Sequence, residues 1–100
     1  ERYSCGDLTL DATTHEVRAG GKAALLTRTE YAILKALMLN RGQVLAKSAL
    51  LDRISMDTPD CTEGSPKTHI SNLRGKLRDA TGKDHIEAVW GIGFRLRPES

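Results

Sequence analysis

The chain has 100 residues, 39% hydrophobic and 28% charged, with a formal net charge of +2 at pH 7. This length can bury one hydrophobic core but not two, so we expect a single domain over residues 1–100. No apolar run approaches the roughly 20 residues that cross a bilayer, and nothing at the start resembles a signal peptide. We therefore expect a cytoplasmic protein without a membrane partner.

Enzymatic and metal-binding functions find no support in the residue pattern. Cys5 and Cys61 lack the spacing of metal ligands, which predicts two unpaired thiols in a reducing compartment. The sequence shows neither a nucleophile with its base nor a phosphate-binding loop. We expect no enzyme activity, no metal and no cofactor.

The charge is distributed unevenly along the chain. Residues 1–64 carry 8 basic and 9 acidic side chains, whereas residues 65–100 carry 7 basic and 4 acidic ones. Positive charge is thus concentrated in the C-terminal third, which favours an anionic partner there.

The first quarter of the chain predicts a small antiparallel sheet over about residues 3–26. Leu8, Leu10 and Ala12 alternate with polar residues, and Val17 and Ala19 do the same after a turn at 11–14. A second turn at 20–22 contains two glycines and precedes the apolar residues 23–26.

A first helix is predicted from Thr27 to about Arg41. Thr27 and Glu30 have the spacing of a capping box, and Gly42 is expected to end the helix. Its predicted apolar face consists of Tyr31, Ile33, Leu34, Leu37 and Met38.

A support helix is predicted over about 46–54. It would bury Leu50, Leu51 and Ile54, and Ala46 is a weak N-cap.

The segment 55–64 is predicted to be an acidic loop. It contains Asp57, Asp60 and Glu63 and no basic residue, and it is too long for a tight helix-turn-helix corner. Such a loop would avoid phosphates and could contact a basic patch on a partner protein, or it could simply be solvated.

A reading helix is predicted over about 65–79, with Ser65 as N-cap and Pro66 at the first position. Its apolar stripe is Pro66, Ile70, Leu73 and Leu77. The opposite face carries Thr68, Ser71, Asn72, Gly75, Arg78 and Asp79, with Lys67, Arg74 and Lys76 along its flanks. From Pro66 to Arg78 there are four basic residues and no acidic one. These side chains suit phosphates and base edges, although a solvated basic face would have the same pattern.

A hairpin is predicted over about 86–97. The apolar run 86–89 is followed by Gly91 and Gly93, then by Phe94, Arg95 and Leu96. A basic helix followed by a glycine-cornered hairpin is typical of a DNA-reading helix and its wing, so we predict double-stranded DNA as the partner.

At these residues the chain resembles the C-terminal DNA-binding (effector) domain of OmpR/PhoB-family two-component response regulators. The matching motifs are Leu26-Thr27-Arg28-Thr29-Glu30-Tyr31, Asn40-Arg41-Gly42-Gln43-Val44-Leu45, the helix segment 69–77 and the hairpin segment 86–96. The resemblance implies an α+β winged helix-turn-helix with an N-terminal antiparallel β-sheet, a three-helix core over about 27–79 and a C-terminal β-hairpin wing. It also implies sequence-specific DNA binding within a phosphorelay that regulates transcription.

The resemblance implies a role for each candidate site residue, with the reading helix in the major groove and the wing at the minor groove. The base contacts would be Thr68, Ser71, Asn72 and Arg78. The backbone contacts would be Lys67, Arg74, Lys76, Trp90 and Arg95. Trp90 could instead pack against the strands of its own hairpin, and His69 is expected to be partly buried, with a phosphate contact still possible.

The resemblance also implies partners. An upstream receiver domain is absent from this chain, which starts at Glu1 rather than Met, so we expect it to be a fragment. Two such domains would bind head to tail on direct repeats about 10 base pairs apart, with the isolated domain monomeric in solution. The 55–64 loop would contact RNA polymerase. The alternative is a winged-helix protein–protein interaction module, favoured slightly because Asn72 and Gly75 stand where the family often has basic residues.

Overall fold

The computed structural model describes residues 2–40, 42–50, 52 and 66–97, and for 66–68 the backbone alone. Two helices and seven strands have defined bounds in this part of the chain. In chain order they are β1 (Arg2–Cys5), β2 (Leu8–Asp11), β3 (Glu16–Ala19), β4 (Lys22–Ala24), α1 (Arg28–Leu39), β5 (Leu45–Ala46), α2 (Pro66–Thr81), β6 (Ile86–Val89) and β7 (Gly93–Leu96). Residues 47–50 and 52, in the predicted support helix, are also helical.

The N-terminal strands form the predicted antiparallel sheet, in the order β1-β2-β3-β4. Leu8 is in register with Ala19 and Leu10 with Val17, and all four side chains are buried on one face. The β2–β3 turn is stabilised by Asp11, whose Oδ1 accepts a hydrogen bond from the Thr13 N–H at 2.9 Å. The alternation read from the sequence thus identified the core face of the sheet.

Helix α1 begins at the predicted capping box. The Glu30 N–H donates to Thr27 Oγ1 at 3.2 Å, and the Thr27 N–H donates to Glu30 Oε1 at 3.0 Å. The apolar face is buried as predicted: Tyr31, Ile33, Leu34, Leu37 and Met38. The helix ends earlier than expected, at Leu39, because Asn40 caps it through a hydrogen bond from its Nδ2 to the Ala36 carbonyl at 2.9 Å.

Helix α2 is anchored by its apolar stripe. Ile70, Leu73 and Leu77 are buried in the core that α1 and both sheets share. The helix runs to Thr81, two residues beyond the predicted end, and Gly82 follows with a φ of +78°. The predicted cap Ser65 lies outside the described residues.

The wing is a three-stranded sheet in the order β5-β7-β6, not the isolated hairpin that the sequence predicts. Strand β5 is antiparallel to β7, with Leu45 opposite Phe94 and Ala46 opposite Gly93. Its two residues show no alternation, so the sequence pattern did not reveal it. A side chain at Gly93 would collide with the Leu45 carbonyl oxygen and lie 2.8 Å from the Ala46 Cα, so glycine permits this close approach.

Candidate nucleic-acid interface

The exposed face of α2 is the one that the helical period predicted. Ser71, Asn72 and Gly75 are exposed, and Arg74 is half-buried beside them. Arg74 has no carboxylate within ion-pair distance among the described residues. The side chains of Lys67 and Thr68 lie outside the described part of the chain. The helix therefore presents small hydrogen-bonding side chains and an available guanidinium.

The tip of the wing exposes apolar side chains. The β6–β7 turn comprises Trp90, Gly91 and Ile92, with Gly91 at a φ of +75° and the Ile92 N–H donating to the Val89 carbonyl at 3.1 Å. Trp90 is 98% exposed and Ile92 is also exposed. The alternative that Trp90 packs against its own hairpin is therefore wrong, and its ring is available to a ligand.

Lys76, a predicted backbone contact, forms an ion pair inside the domain. Its Nζ lies 2.5 Å from Glu30 Oε1, with the two side chains 39% and 3% exposed. The same Glu30 oxygen accepts the Thr27 N–H, so Glu30 joins the start of α1 to the middle of α2. A phosphate contact by Lys76 would compete with this internal partner.

Arg78, a predicted base contact, is also paired. Its Nε donates to Asp84 Oδ1 at 2.8 Å, and its Nη2 donates to the same oxygen. The hydrogen bond from Arg78 lowers the pKa of Asp84 despite opposing desolvation, and the charges of Arg74 and Arg97 lower it further.

Arg95, a predicted backbone contact, is paired across the hairpin. Glu87 and Arg95 are in register, and both Nε and Nη2 of Arg95 lie 2.7 Å from Glu87 Oε1. The hydrogen bond from Arg95 lowers the pKa of Glu87, and the nearby charge of Arg97 acts in the same direction.

The two ion pairs lie in an arginine cluster at the junction of α2 and the wing, comprising Arg74, Arg78, Arg95 and Arg97. The charges of these arginines lower the pKa of Asp84, of Glu87 or of both. Arg97, Asp84 and Glu87 were not among the site residues predicted from the sequence. The hairpin register could have indicated Arg97, because it places this residue opposite His85, next to Asp84; its N–H donates to the His85 carbonyl at 2.8 Å.

Comparison with known proteins identifies this architecture. Residues 21–96 match the family model described as transcriptional regulatory protein, C terminal. The chain belongs to this family. It is a C-terminal domain of the OmpR/PhoB type, and it has the winged-helix fold of the solved members.

Two curated relatives show how much of a longer protein this OmpR/PhoB-type domain resembles. The swarming motility regulation protein RssB of Serratia marcescens is 33% identical over 99% of this chain and 43% of its own length. The response regulator PmrA of Pseudomonas aeruginosa is 36% identical over 91% of this chain and 39% of its own length. The chain thus spans about two fifths of each relative.

Solved structures match nearly the whole domain. The Klebsiella pneumoniae RstA DNA-binding domain in complex with the RstA box has a TM-score of 0.81 and 30% identity, covering 98% of both chains. The DNA-binding domain of CpxR from E. coli has a TM-score of 0.81 and 26% identity, covering 100% of this chain and 99% of that one.

Each of the three histidines of this OmpR/PhoB-type domain is stacked on a ring or at least half-buried. His85 is buried between α2 and the wing, where its Nε2 lies 2.7 Å from Thr81 Oγ1, and burial lowers its pKa. The sequence suggested no role for His85. His15 stacks on Tyr31 with ring centroids 4.4 Å apart, and His69 is half-buried, as expected.

The remaining predictions concern regions or features beyond this surface. Asp57, Asp60, Glu63 and Cys61 lie outside the described residues, whereas Cys5 is buried and free. In the described part of the chain, no group of three His, Cys, Asp or Glu side chains could hold a metal, and neither helix is long and apolar enough to span a bilayer.

Proposed function

We propose that this domain binds double-stranded DNA in a sequence-specific manner, as the effector domain of a two-component transcriptional regulator. Helix α2 would enter the major groove and the wing would contact an adjacent minor groove. The observation that carries this proposal is that the exposed polar face of α2 continues into the arginine cluster at the junction of α2 and the wing. The RstA domain, solved on its RstA box, and the AdeR DNA-binding domain, solved with an intercistronic region, support it by similarity.

Helix α2 is suited to base recognition because its two faces differ sharply. Ile70, Leu73 and Leu77 are buried, which fixes the rotation of the helix on the core. Ser71 and Asn72 are exposed on the other side, and an asparagine can form two hydrogen bonds with adenine in the major groove. A helix with small polar side chains on its exposed face can fit into the major groove.

Phosphate binding would begin with Arg74, since it has no carboxylate partner among the described residues. Trp90 would contribute its exposed ring to the backbone next to the minor groove. Lys67 remains a proposed phosphate contact from its sequence position. Lys76, Arg78 and Arg95 each hold an internal carboxylate, so a phosphate contact by any of them would compete with that carboxylate.

The first experiment titrates a labelled mixed-sequence duplex with the wild-type chain and with Arg74→Ala, following fluorescence anisotropy. Loss of one phosphate contact should weaken binding and reduce the slope of log affinity against log salt by about one unit. Arg18→Ala is the matched control, because Arg18 is an exposed arginine on β3 between the inward-facing Val17 and Ala19.

Equal binding by Arg74→Ala and wild type at moderate salt would contradict the assignment of α2 to the groove. Absence of duplex binding by the wild type even at low salt would favour the protein–protein interaction module instead. If the duplex binds, selection of sites from random DNA should then yield a defined operator, whereas a flat base preference would contradict sequence-specific recognition.

Pairing on DNA is the second part of the proposal. We expect head-to-tail binding of monomers to direct repeats about 10 base pairs apart, one turn of the duplex. Inserting half a turn would rotate the second domain to the far side and abolish cooperativity. Footprinting that showed a preference for inverted half-sites would contradict this arrangement.

The 55–64 loop is proposed to contact RNA polymerase, on the basis of its acidic composition and its sequence position. Neutralising Asp57, Asp60 and Glu63 together should leave DNA affinity unchanged or slightly raised, because three charges that repel phosphate are removed. Transcription from a bound promoter should fall. Unchanged transcription would favour a loop that is merely solvated.

We also propose an upstream receiver domain whose phosphorylation controls this domain, as in a response regulator. The support is that the curated relatives RssB and PmrA are more than twice as long as the part that this chain matches. The test is to read the coding sequence upstream of Glu1, and a reading frame without a receiver there would contradict the proposal.

A further inference from the structure

We propose that Asp84 is an internal competitor for DNA: it holds the Nε–Nη2 edge of Arg78 in the free domain, and Arg78 can place that edge on the duplex only by releasing this carboxylate. The inference rests on the proposed function, and it adds a residue that sets the strength of that binding. Asp84 would touch no DNA itself; it would act through Arg78.

Arg78 and Asp84 are hydrogen-bonded to each other, yet both side chains are partly exposed to solvent. Nε and Nη2 of Arg78 converge on Asp84 Oδ1, so this edge of the guanidinium, which could bind a phosphate or a guanine through two hydrogen bonds, is engaged by one oxygen. The side chains of Arg78 and Asp84 are 57% and 34% exposed. An incoming phosphate could therefore reach Arg78 without any rearrangement of the core.

The turn between α2 and β6 does not depend on this ion pair. The Gly82 N–H donates to the Arg78 carbonyl at 2.6 Å, and the Lys83 N–H donates to Thr81 Oγ1 at 3.1 Å. Thr81 Oγ1 also lies 2.7 Å from Nε2 of the buried His85. Backbone and hydroxyl contacts thus fix the turn, and the carboxylate of Asp84 is available for another role.

The surroundings of Asp84 explain why it would oppose DNA binding. Arg74, Arg78 and Arg97 all lower its pKa, so the carboxylate is charged at neutral pH in the middle of the arginine cluster. It reduces the positive potential at the junction of the helix and the wing. It also makes opening of the Arg78 pair part of the cost of binding.

The expected size of the effect follows from the exposure of the pair. Exposed ion pairs change an equilibrium by roughly 1.4-fold to 5-fold, and removal of the competitor should raise duplex affinity by a factor in that range. The slope of log affinity against log salt should change little, because Arg78 contacts the duplex in both chains and the number of neutralised phosphates stays the same.

The test compares Asp84→Asn with Asp79→Asn in the 100-residue chain. Asp79 is the matched control because it is an exposed carboxylate on α2, adjacent to Arg78, without an ion-pair partner among the described residues. Both variants change the net charge equally. Affinity for a mixed-sequence duplex of about 30 base pairs, room for two sites one turn apart, is measured between about 50 and 200 mM salt.

A double-mutant cycle separates the specific effect from general repulsion. Asp84→Asn should tighten binding more than Asp79→Asn does in the wild-type background, and that excess should vanish in the Arg78→Ala background. Thermal melts check folding, and Asp84→Ser provides a second variant with the same expectation. The Arg78 Nε–H resonance should shift in Asp84→Asn without added DNA.

Three results would overturn the inference. Equal gains for Asp84→Asn and Asp79→Asn, or a gain that persists with Arg78→Ala, would mean that Asp84 acts by charge alone. Weaker binding by Asp84→Asn would mean that Asp84 orients Arg78 for its contact. A wild-type chain that binds no duplex at low salt would instead refute the proposed function, a result distinct from these three because in all of them the wild type binds.

Discussion

Replacing Lys76 with Met tests which of two roles this lysine has, because the substitution removes the ammonium and keeps most of the aliphatic stem. The sequence predicted a phosphate contact, whereas the structure pairs Lys76 with the buried Glu30. If the internal pair is the main role, Lys76→Met should destabilise the domain more than it weakens DNA binding. The Glu30 carboxylate would keep its hydrogen bond from the Thr27 N–H but lose its cation.

The magnitude follows from the separation and the burial of the two charges. At the observed 2.5 Å and an effective dielectric constant of about 20, the gross Coulomb attraction is about 6–7 kcal/mol. Removing one member of a buried pair costs about 3–5 kcal/mol. Because Lys76 is 39% exposed, water can partly replace it, and we expect a loss of about 1–3 kcal/mol. The melting temperature of a domain this size should fall by roughly 5–20 °C.

The assay combines thermal or urea unfolding with duplex titration at a temperature where every variant is folded. Arg74→Ala provides the opposite pattern, with weaker binding and little loss of stability. Adding Glu30→Gln to Lys76→Met should recover part of the stability, since glutamine can still complete the capping box without a buried charge. An unchanged melting temperature for Lys76→Met, together with a salt slope lower by about one, would refute this reasoning and make Lys76 a DNA contact.

Four further predictions concern two glycines, the buried His85 and the exposed Trp90. Gly93→Ala should destabilise the domain by about 2–4 kcal/mol in urea unfolding, because its Cβ would strike β5. Gly75→Ala, on an open helical face, should stabilise the domain by about 0.5–1 kcal/mol. The same change in the free energy of unfolding for Gly93→Ala and Gly75→Ala would contradict both predictions. Burial lowers the pKa of His85, so stability should be complete above pH of about 6.5 and decline as pH falls toward the lowered folded value; an identical pH profile for His85→Gln would disprove this. Trp90 is the single tryptophan, so its emission should change as duplex is added, and Trp90→Ala should weaken binding without altering stability; constant emission at saturation would remove the wing tip from the interface.

Local sequence patterns determined most of the fold. The Thr27–Glu30 capping box specified where α1 begins, and a stripe of Ile70, Leu73 and Leu77 specified which face of α2 is buried. These features depend on residues three or four positions apart, so a single sequence contains them in full. The same helical period correctly predicted that Ser71 and Asn72 are exposed.

Only the tertiary structure decided what the charged residues of the site contact. Glu30 and Lys76 are 46 positions apart, and no local pattern indicates that they meet. Strand β5 could not be predicted from the sequence for a similar reason, because two residues show no period and the strand with which they pair is distant along the chain. Helical position fixed which cations lie near the proposed DNA surface. Which of them are available to phosphate depends on carboxylates that folding brings from other elements, and that information is absent from the order of residues along one helix.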